Sequence, residues 1–501
     1  MLRHTHLFFV LLCAATSSAA SRPNVVMIAV DDMCDWIEPL GSSMAKTPNL
    51  ERLAQRGVVF SNAHTAGIYC APSRSAIFTG RYASTTGCYT NQVYYHNHPE
   101  YRPLQVALQQ GGYATFGTGK LFHHPAGFLD QRGWTEFHVR TSVQKTTGWP
   151  MDSWDHNAPL PDPYPHSPFN QANPKWKGKP FMEVGPIPNE REKHMADTLR
   201  TEWACKIIRR RHDQPFFVGL GLYAPHFPNY APQKYFDLYP LDTVRQPPIK
   251  EDDLDDLPDI VRKKHESRKK NIHGKLIDLG IVESSIQGYL ACISYADAML
   301  GRVLDAIDAS PNRDNTVVIF WSDHGYAHGE KGHWGKHSLW QRTSQVPLLW
   351  AGPGVAKNTD IGYTASLIDI YPTLIDLCGL PSSTGLEGES LSSILKRGSV
   401  PQGKTRSVLL PYDEPKSYAI INEQWRYIQY RDGSEELYDV HQDPHEWNNL
   451  AADGTLKPIK KRLQTLAPKT FAPLGLASAQ LQIENRGESF RWIPKKRKMS
   501  K

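Results

Sequence analysis

Val25-Val26-Met27-Ile28-Ala29-Val30-Asp31-Asp32 is a run of six apolar residues that stops on two carboxylates. An apolar run without alternation is the pattern of a strand buried on both faces, as in parallel sheets covered by helices. Polar residues at the C-terminal end of such a strand stand where open α/β sheets place their ligand-binding groups. Three other stretches repeat the design. Thr316-Val317-Val318-Ile319-Phe320-Trp321 runs into Ser322-Asp323-His324-Gly325, and Phe216-Phe217-Val218-Gly219-Leu220-Gly221-Leu222 runs into Ala224-Pro225-His226. Tyr113-Ala114-Thr115-Phe116 leads through Gly117-Thr118-Gly119 to Lys120 and His123. Four strand ends are therefore expected to converge on one edge of a sheet.

Helical spacing over Thr47 to Gln55, Leu104 to Gln109, Gly288 to Asp308 and Ile368 to Leu377 alternates with these strands. The fold class that follows is α/β: a large mixed, mostly parallel sheet sandwiched by helices, assigned to residues 22–400. From Thr405 to Asn449 the pattern changes to short runs, Ser407-Val408-Leu409-Leu410, Tyr418-Ala419-Ile420-Ile421, Trp425-Arg426-Tyr427-Ile428-Gln429-Tyr430 and Glu436-Leu437-Tyr438-Asp439. Turn residues at Asn422-Glu423-Gln424 and Asp432-Gly433-Ser434 make this a smaller antiparallel sheet, in a C-terminal subdomain at 401–480. Residues 481–501 read as a basic tail, disordered at Pro494-Lys495-Lys496-Arg497-Lys498. Segment 150–190, dense in Pro, His, Trp and Asn, reads as a long surface insertion, and Lys250 to Lys270 as a solvated excursion.

Three carboxylates at one sheet edge, Asp31, Asp32 and Asp323, repel one another unless a cation lies between them. Hard oxygen donors suit calcium, or magnesium less well. Zinc would call for C-x-x-C or H-E-x-x-H spacing, which the chain lacks. The stretch Cys70-Ala71-Pro72-Ser73-Arg74-Ser75-Ala76-Ile77-Phe78-Thr79-Gly80-Arg81 adds a nucleophile at a helix start. Pro72 suits a first turn, and Ser73 adds a hydroxyl beside amides without intrahelical acceptors, so a tetrahedral anion fits there.

This last stretch resembles the signature C-x-P-S-R-x-x-x-x-T-G-R of type I sulfatases, formylglycine-dependent enzymes of the alkaline-phosphatase-like superfamily. The chain is most similar to the iduronate-2-sulfatase branch from about Arg22 to Gly354, including Gly119-Lys120-Leu121-Phe122-His123, His324 where many sulfatases carry Asn, and Lys336-His337-Ser338. Leu437-Tyr438-Asp439 and Asp443-Pro444-His445-Glu446-Trp447-Asn448-Asn449-Leu450 are similar to the family's closing strand and turn. The resemblance implies an alkaline-phosphatase-like fold and modification of Cys70 to formylglycine by a formylglycine-generating or anaerobic maturase system. It also implies metal ligation by Asp31, Asp32, Asp323, His324 and the modified Cys70. Lys120, His226 and Lys336 would contact the sulfate and its leaving oxygen, Arg74 would support the hydrated aldehyde, and His123 would stand beside them. Near relatives in that branch often carry a basic residue just before the Pro-His pair; here that position is Ala224.

The implied chemistry has a physical logic. A sulfate monoester keeps negative charge on its oxygens through transfer, so a cation and fixed positive side chains stabilise the transition state. A sugar alkoxide is a basic leaving group and needs a proton, which a histidine or a pKa-depressed lysine can give, with His226 the first candidate. One hydroxyl of the formylglycine hydrate attacks sulfur, metal coordination favours its deprotonated form, and the other hydroxyl expels sulfate. The expected activity is hydrolysis of a sulfated sugar or glycan, iduronate-2-sulfatase-like. A phosphatase or phosphonate monoesterase and a non-catalytic binding protein are the competing readings.

Composition fits an exported globular enzyme. Met1-Leu2-Arg3-His4, the apolar stretch Leu7 to Ala15 and Thr16-Ser17-Ser18-Ala19-Ala20 read as a signal peptide over residues 1–20, giving a secreted or periplasmic protein. No apolar run is long enough for a membrane span. Seven cysteines in 501 residues are no disulfide scaffold; with Cys13 removed and Cys70 modified, the other five leave room for zero to two bridges. The net charge of +6 is mild, favouring anionic saccharides over cationic partners without marking a nucleic-acid binder.

Overall fold

A computed structural model of the protein describes residues 22–123, 128–138, 183–263, 272–486 and 489–495. The expected signal peptide, most of the 150–190 insertion, residues 264–270 of the charged excursion and the last six residues lie outside them.

The strand starting at Asn24 has no polar face, and all seven residues of β1 (Asn24–Val30) are buried. It is central in an eight-stranded sheet with β2 (Gly57–Phe60), β3 (Ala114–Gly119), β4 (Glu136–His138), β5 (Phe216–Gly221), β6 (Thr316–Ser322), β7 (Leu348–Ala351) and β8 (Thr359–Ile361). The strand order is β8-β2-β7-β6-β1-β5-β3-β4. Only β7 runs against the others, since it pairs antiparallel with both β2 and β6. The sheet is mixed and mostly parallel, as expected.

Four neighbouring strands, β6, β1, β5 and β3, thus point their C-terminal ends the same way. Register keeps those ends level: Val30 pairs with Ser322, Ala29 with Gly221, and Gly221 with Gly119. At this edge β3 and β5 approach so closely that a Cβ on Gly119 would meet the Gly221 carbonyl oxygen at 1.9 Å, and Gly119 has φ +71°. Only glycine fits there, and the next residue is Lys120.

Helices cover both faces, among them α1 (Pro48–Gln55), α2 (Cys70–Thr79), α3 (Leu104–Gln110), α4 (Ala196–Arg209), α5 (Val282–Asp308) and α6 (Ile370–Leu377). Helix α5 starts six residues before the expected Gly288; its first turns contain Glu283, Ser284, Ser285 and Gln287, which blur the apolar period. Across the sheet, one core packs Val25, Met27, Val317 and Ile319 against α2 and α6. The other packs Val26, Ile28, Val218 and Phe320 against α4 and α5.

A separate antiparallel sheet follows, β9 (Val408–Pro411), β10 (Tyr418–Ile421), β11 (Trp425–Gln429) and β12 (Glu435–Asp439), paired in that order. Helix α7 (Lys457–Gln464) packs on it through Leu463. One expectation is corrected beyond it: the stretch read as a basic tail begins with a hairpin, β13 (Leu481–Asn485) and β14 (Phe490–Pro494). Gln131 Nε2 donates to the Phe490 carbonyl at 2.7 Å and Trp492 Nε1 to the Tyr95 hydroxyl at 3.0 Å. The alternation of Leu481-Gln482-Ile483 and Phe490-Arg491-Trp492 has period two, with buried residues returning to the first domain. Six cysteines, Cys34, Cys70, Cys88, Cys205, Cys292 and Cys378, are buried and unbridged. No described helix is long and apolar enough to cross a membrane.

Candidate active site

The sheet edge delivers its charged residues to one point. Asp31 and Asp32 follow β1, Asp323 follows β6, and Cys70 begins α2 from the loop beneath them. Asp32 has φ +66°, a left-handed turn that carries the chain off the strand. Its backbone N–H donates to Asp323 Oδ1 at 3.2 Å. Strain of this kind is tolerated where the surroundings fix it, commonly at functional sites.

Cys70 is 1% exposed. Its Sγ lies 3.3 Å from Asp31 Oδ1, 3.4 Å from His324 Nε2, 3.2 Å from Lys336 Nζ and 3.8 Å from Lys120 Nζ. Two overlapping sets of donor atoms, each lying within 4.8 Å, comprise Asp31, Asp32, Cys70 and His226, and Asp31, Cys70, Asp323 and His324. All five expected metal ligands are therefore together, and His226 joins them. His324 Nδ1 donates to the Gly325 carbonyl at 2.9 Å, which leaves Nε2 facing the carboxylates, the tautomer a metal ligand needs. Nε2 is 3.3 Å from Asp32 Oδ1 and 3.5 Å from Asp323 Oδ1.

Three cations answer the three carboxylates. Lys120 Nζ pairs with Asp31 Oδ2, Lys336 Nζ with Asp32 Oδ1 at 2.6 Å, and Arg74 Nε with Asp323 Oδ2 at 2.8 Å. Burial alone would raise Asp31, but Lys120, Arg74 and Lys336 hold its carboxyl well below the usual range. For Asp32 burial prevails, and the neighbouring charges of Asp31 and Asp323 add to it against Lys336, so its carboxyl is raised. Burial and Asp31 also push the Cys70 thiol up despite the two lysines, so the unmodified side chain is a protonated, weak nucleophile.

Arg74 is held on all sides: beyond Asp323 it donates to the Lys120 and Val30 carbonyls and to Asp31, so it braces three strand ends at once. Ser73 differs from expectation. Its hydroxyl donates to the Asp323 carbonyl at 2.6 Å, beside the Thr65 hydroxyl at 2.5 Å, and so fixes the β6 end instead of facing an anion. His226 Nδ1 donates to the Phe227 carbonyl at 2.6 Å, and its Nε2 lies 3.9 Å from Asp32 Oδ2. Burial, then Lys120 and Lys336, push the His226 imidazole well down, so it is neutral in this arrangement. His123 stands at the rim against Tyr69 and Phe128, with ring centroids 6.4 and 4.9 Å apart, and is also pushed down by burial and the two lysines.

Sequence reading missed Tyr223, whose ring lies 5.0 Å from Lys120 Nζ and 4.8 Å from the His226 ring. It also missed how Lys336 is held. The strap 336–341 is gripped by the C-terminal sheet: the Tyr412 hydroxyl donates to the His337 carbonyl at 3.1 Å, Arg426 Nη1 to the Leu339 carbonyl at 2.8 Å, and Trp340 Nε1 to Glu436 Oε2 at 2.8 Å. Gln341 N–H donates to Glu446 Oε2 at 2.8 Å, and Glu446 pairs with Arg426 at 2.5 Å.

The family model "Sulfatase" matches residues 23–380, and "N-sulphoglucosamine sulphohydrolase, C-terminal" matches residues 329–470. A protein named "Sulfatase" from Formosa agariphila is 36% identical over 461 residues, covering 90% of this chain and 87% of that protein. Iduronate 2-sulfatase of Mus musculus is 27% identical over 417 residues, covering 74% and 71%. In fold, the chain is similar to a phosphonate monoester hydrolase from Silicibacter pomeroyi, with a TM-score of 0.72 at 20% identity over 89% of this chain and 94% of that one.

Proposed function

The chain belongs to the sulfatase family, and from that premise we propose that it removes sulfate from a hydroxyl of a sulfated sugar or glycan, using formylglycine made from Cys70. The observation that carries this reading is the setting of the Cys70 side chain, within 3.8 Å of Asp31, His324, Lys120 and Lys336 at the junction of four strand ends.

The donor set fits a hard divalent ion. Asp31, Asp32, Asp323 and His324, with the modified residue 70, would hold it, and we take calcium ahead of magnesium because the donors are mainly carboxylate oxygens. Such an ion supplies charge for the oxygens that become more negative as the ester bond breaks. The protein's three carboxylates and three cations already cancel, so added positive charge leaves the site attractive to an anionic ester. Formylglycine supplies, as its hydrate, one hydroxyl to attack sulfur and another to release sulfate.

The chain's own groups do the rest. Lys336 and Lys120 flank residue 70 and are placed to take sulfate oxygens. His226 is neutral before substrate arrives, and an incoming sulfate ester adds negative charge that favours the imidazolium. Its Nδ1 is committed to Phe227, so Nε2 carries the proton that leaves with the sugar oxygen. A 2-O-sulfated uronate, as in a heparan- or dermatan-like chain, is the finer substrate reading; the mouse iduronate 2-sulfatase match and His324 support it, while Ala224 offers a carboxylate no cation. Export to the periplasm or exterior through residues 1–20, and service by a formylglycine-generating or anaerobic maturase, complete the proposal.

The test has two parts. Digestion and mass spectrometry of protein made with its maturase should show the Cys70 peptide lighter by about 18 Da, the difference between a thiol and an aldehyde side chain. The same preparation should turn over sugar sulfate esters far faster than the matched phosphate esters. An unmodified thiol in an active preparation, or preference for the phosphate, overturns the reading.

A further inference from the structure

Strand β5 ends at Gly221, and the chain must then turn to bring Pro225-His226 over the site. Leu222 N–H still follows the sheet, donating to the Ala29 carbonyl at 2.8 Å. The next two amides do not. Tyr223 N–H donates to Asp197 Oδ1 and Oδ2 at 3.0 and 2.9 Å, and Ala224 N–H donates to Asp197 Oδ2 at 2.9 Å. Asp197 is fully buried near the start of α4, and Arg200, one turn on, reaches Oδ1 at 3.3 Å.

A buried carboxylate is costly to keep and is retained where its hydrogen bonds are needed. Here it takes over from the sheet ladder at the point where the chain leaves the strand, and so fixes the path of residues 223–224. What that path carries is the reason it matters. The Tyr223 ring lies 5.0 Å from Lys120 Nζ and 4.8 Å from the His226 ring. The Tyr223 hydroxyl donates to the Phe227 carbonyl at 2.6 Å, the same oxygen that receives His226 Nδ1–H at 2.6 Å. One backbone segment thus sets the direction of His226 Nε2 and the wall behind Lys120.

We propose that Asp197 is a positioning residue for His226, aiming its Nε2 at the leaving oxygen through the backbone amides of Tyr223 and Ala224 and the hydroxyl of Tyr223. The inference rests on the reading of His226 as proton donor. It differs from a plain stabilising role in one respect: misaiming a proton donor penalises poor leaving groups and spares good ones.

The experiment compares a sugar sulfate, whose alkoxide needs a proton, with a nitrophenyl sulfate, whose phenolate does not. Asp197→Asn keeps the shape and one acceptor; it should lower kcat for the sugar sulfate at least tenfold with KM within threefold, and change kcat for the aryl sulfate less than threefold. Equal losses on both substrates, or none on either, overturn the proposal. Should Asp197→Asn fail to fold, Tyr223→Phe, which removes only the hydroxyl on Phe227, must show the same selective loss, and a uniform effect overturns the proposal there too. His226→Gln in parallel separates the two readings. If it shows no leaving-group dependence, the proton-donor reading itself fails; if it does and Asp197→Asn does not, only the present inference fails.

Discussion

Asp32 and Lys336 are 304 residues apart in sequence, and the Lys336 ammonium sits 2.6 Å from Asp32 Oδ1. The same ammonium is 3.2 Å from Cys70 Sγ, so one lysine bridges a strand-end carboxylate and the nucleophile position. Burial would lower its pKa, but Asp32, Asp31 and Asp323 keep it well above the ordinary lysine value, so it is charged at any working pH.

Lys336→Met is expected to lower kcat/KM at least about a hundredfold, a loss of about 3 kcal/mol in transition-state stabilisation. Steady-state kinetics on a sulfate ester measures it, and a change under threefold would remove Lys336 from the sulfate-binding role.

Cys70→Ala should abolish turnover while costing about 1 kcal/mol in stability, because the thiol is uncharged and small. Thermal melting alongside the assay separates the two effects. Residual activity near the wild-type rate would end the case for residue 70 as nucleophile.

Chelation should lower the melting temperature of the wild-type enzyme by about 3 °C or more, since an ion bound only by the folded state stabilises it by mass action. In Asp323→Ala, melting with and without chelator should coincide. A wild-type curve indifferent to both chelator and added calcium would contradict ion binding by these carboxylates.

Away from the site, Asp297 on α5 accepts hydrogen bonds from the backbone amides of Asn49 and Leu50 at the start of α1, at 3.1 and 2.7 Å. Burial still pushes its carboxyl up to about 6 from an ordinary 3.8. The folded state therefore holds this proton more tightly than the unfolded state, so stability falls as pH rises from about 4 to about 6, by about 3 kcal/mol from this group. Asp297→Asn, which cannot titrate, should flatten that part of the stability curve in urea melts at pH 4, 5, 6 and 7. An unchanged slope would mean the carboxyl is ionised throughout.

Arg426→Met should cost about 3 kcal/mol or more, because it strands the Glu446 carboxylate in the seam and frees the Leu339 carbonyl. Activity should fall with it, since the strap bearing Lys336 loses its grip. Denaturant unfolding with kinetics at a temperature where the variant is folded checks both effects.

The central sheet and most of the site were legible because the four site-bearing strands are unbroken apolar runs that end in charge. Those ends became Asp31, Asp32, Asp323, His226 and Lys120, one beside another. Strands β2, β4, β7 and β8 were not proposed: Gly57–Phe60, Glu136–His138, Leu348–Ala351 and Thr359–Ile361 are three or four residues each, too short for a period. The hairpin at 481–494 was hidden by the lysines and arginine beyond it, although its alternation was present. Asp197 left no sequence signal, since its partners are main-chain amides 26 and 27 positions away. Ser73 was misread because a hydroxyl at a helix start has two possible customers, a ligand or a neighbouring carbonyl, and only folding shows which is nearer.

The hold of Tyr412, Arg426, Glu436 and Glu446 on residues 337–341 ties activity to the order in which the chain is made. When synthesis has passed residue 400, every group around position 70 exists, yet the loop bearing Lys336 still lacks its outer fastening. Competence arrives only with Glu446, so a product terminated before that residue should be inert even where its large sheet has formed.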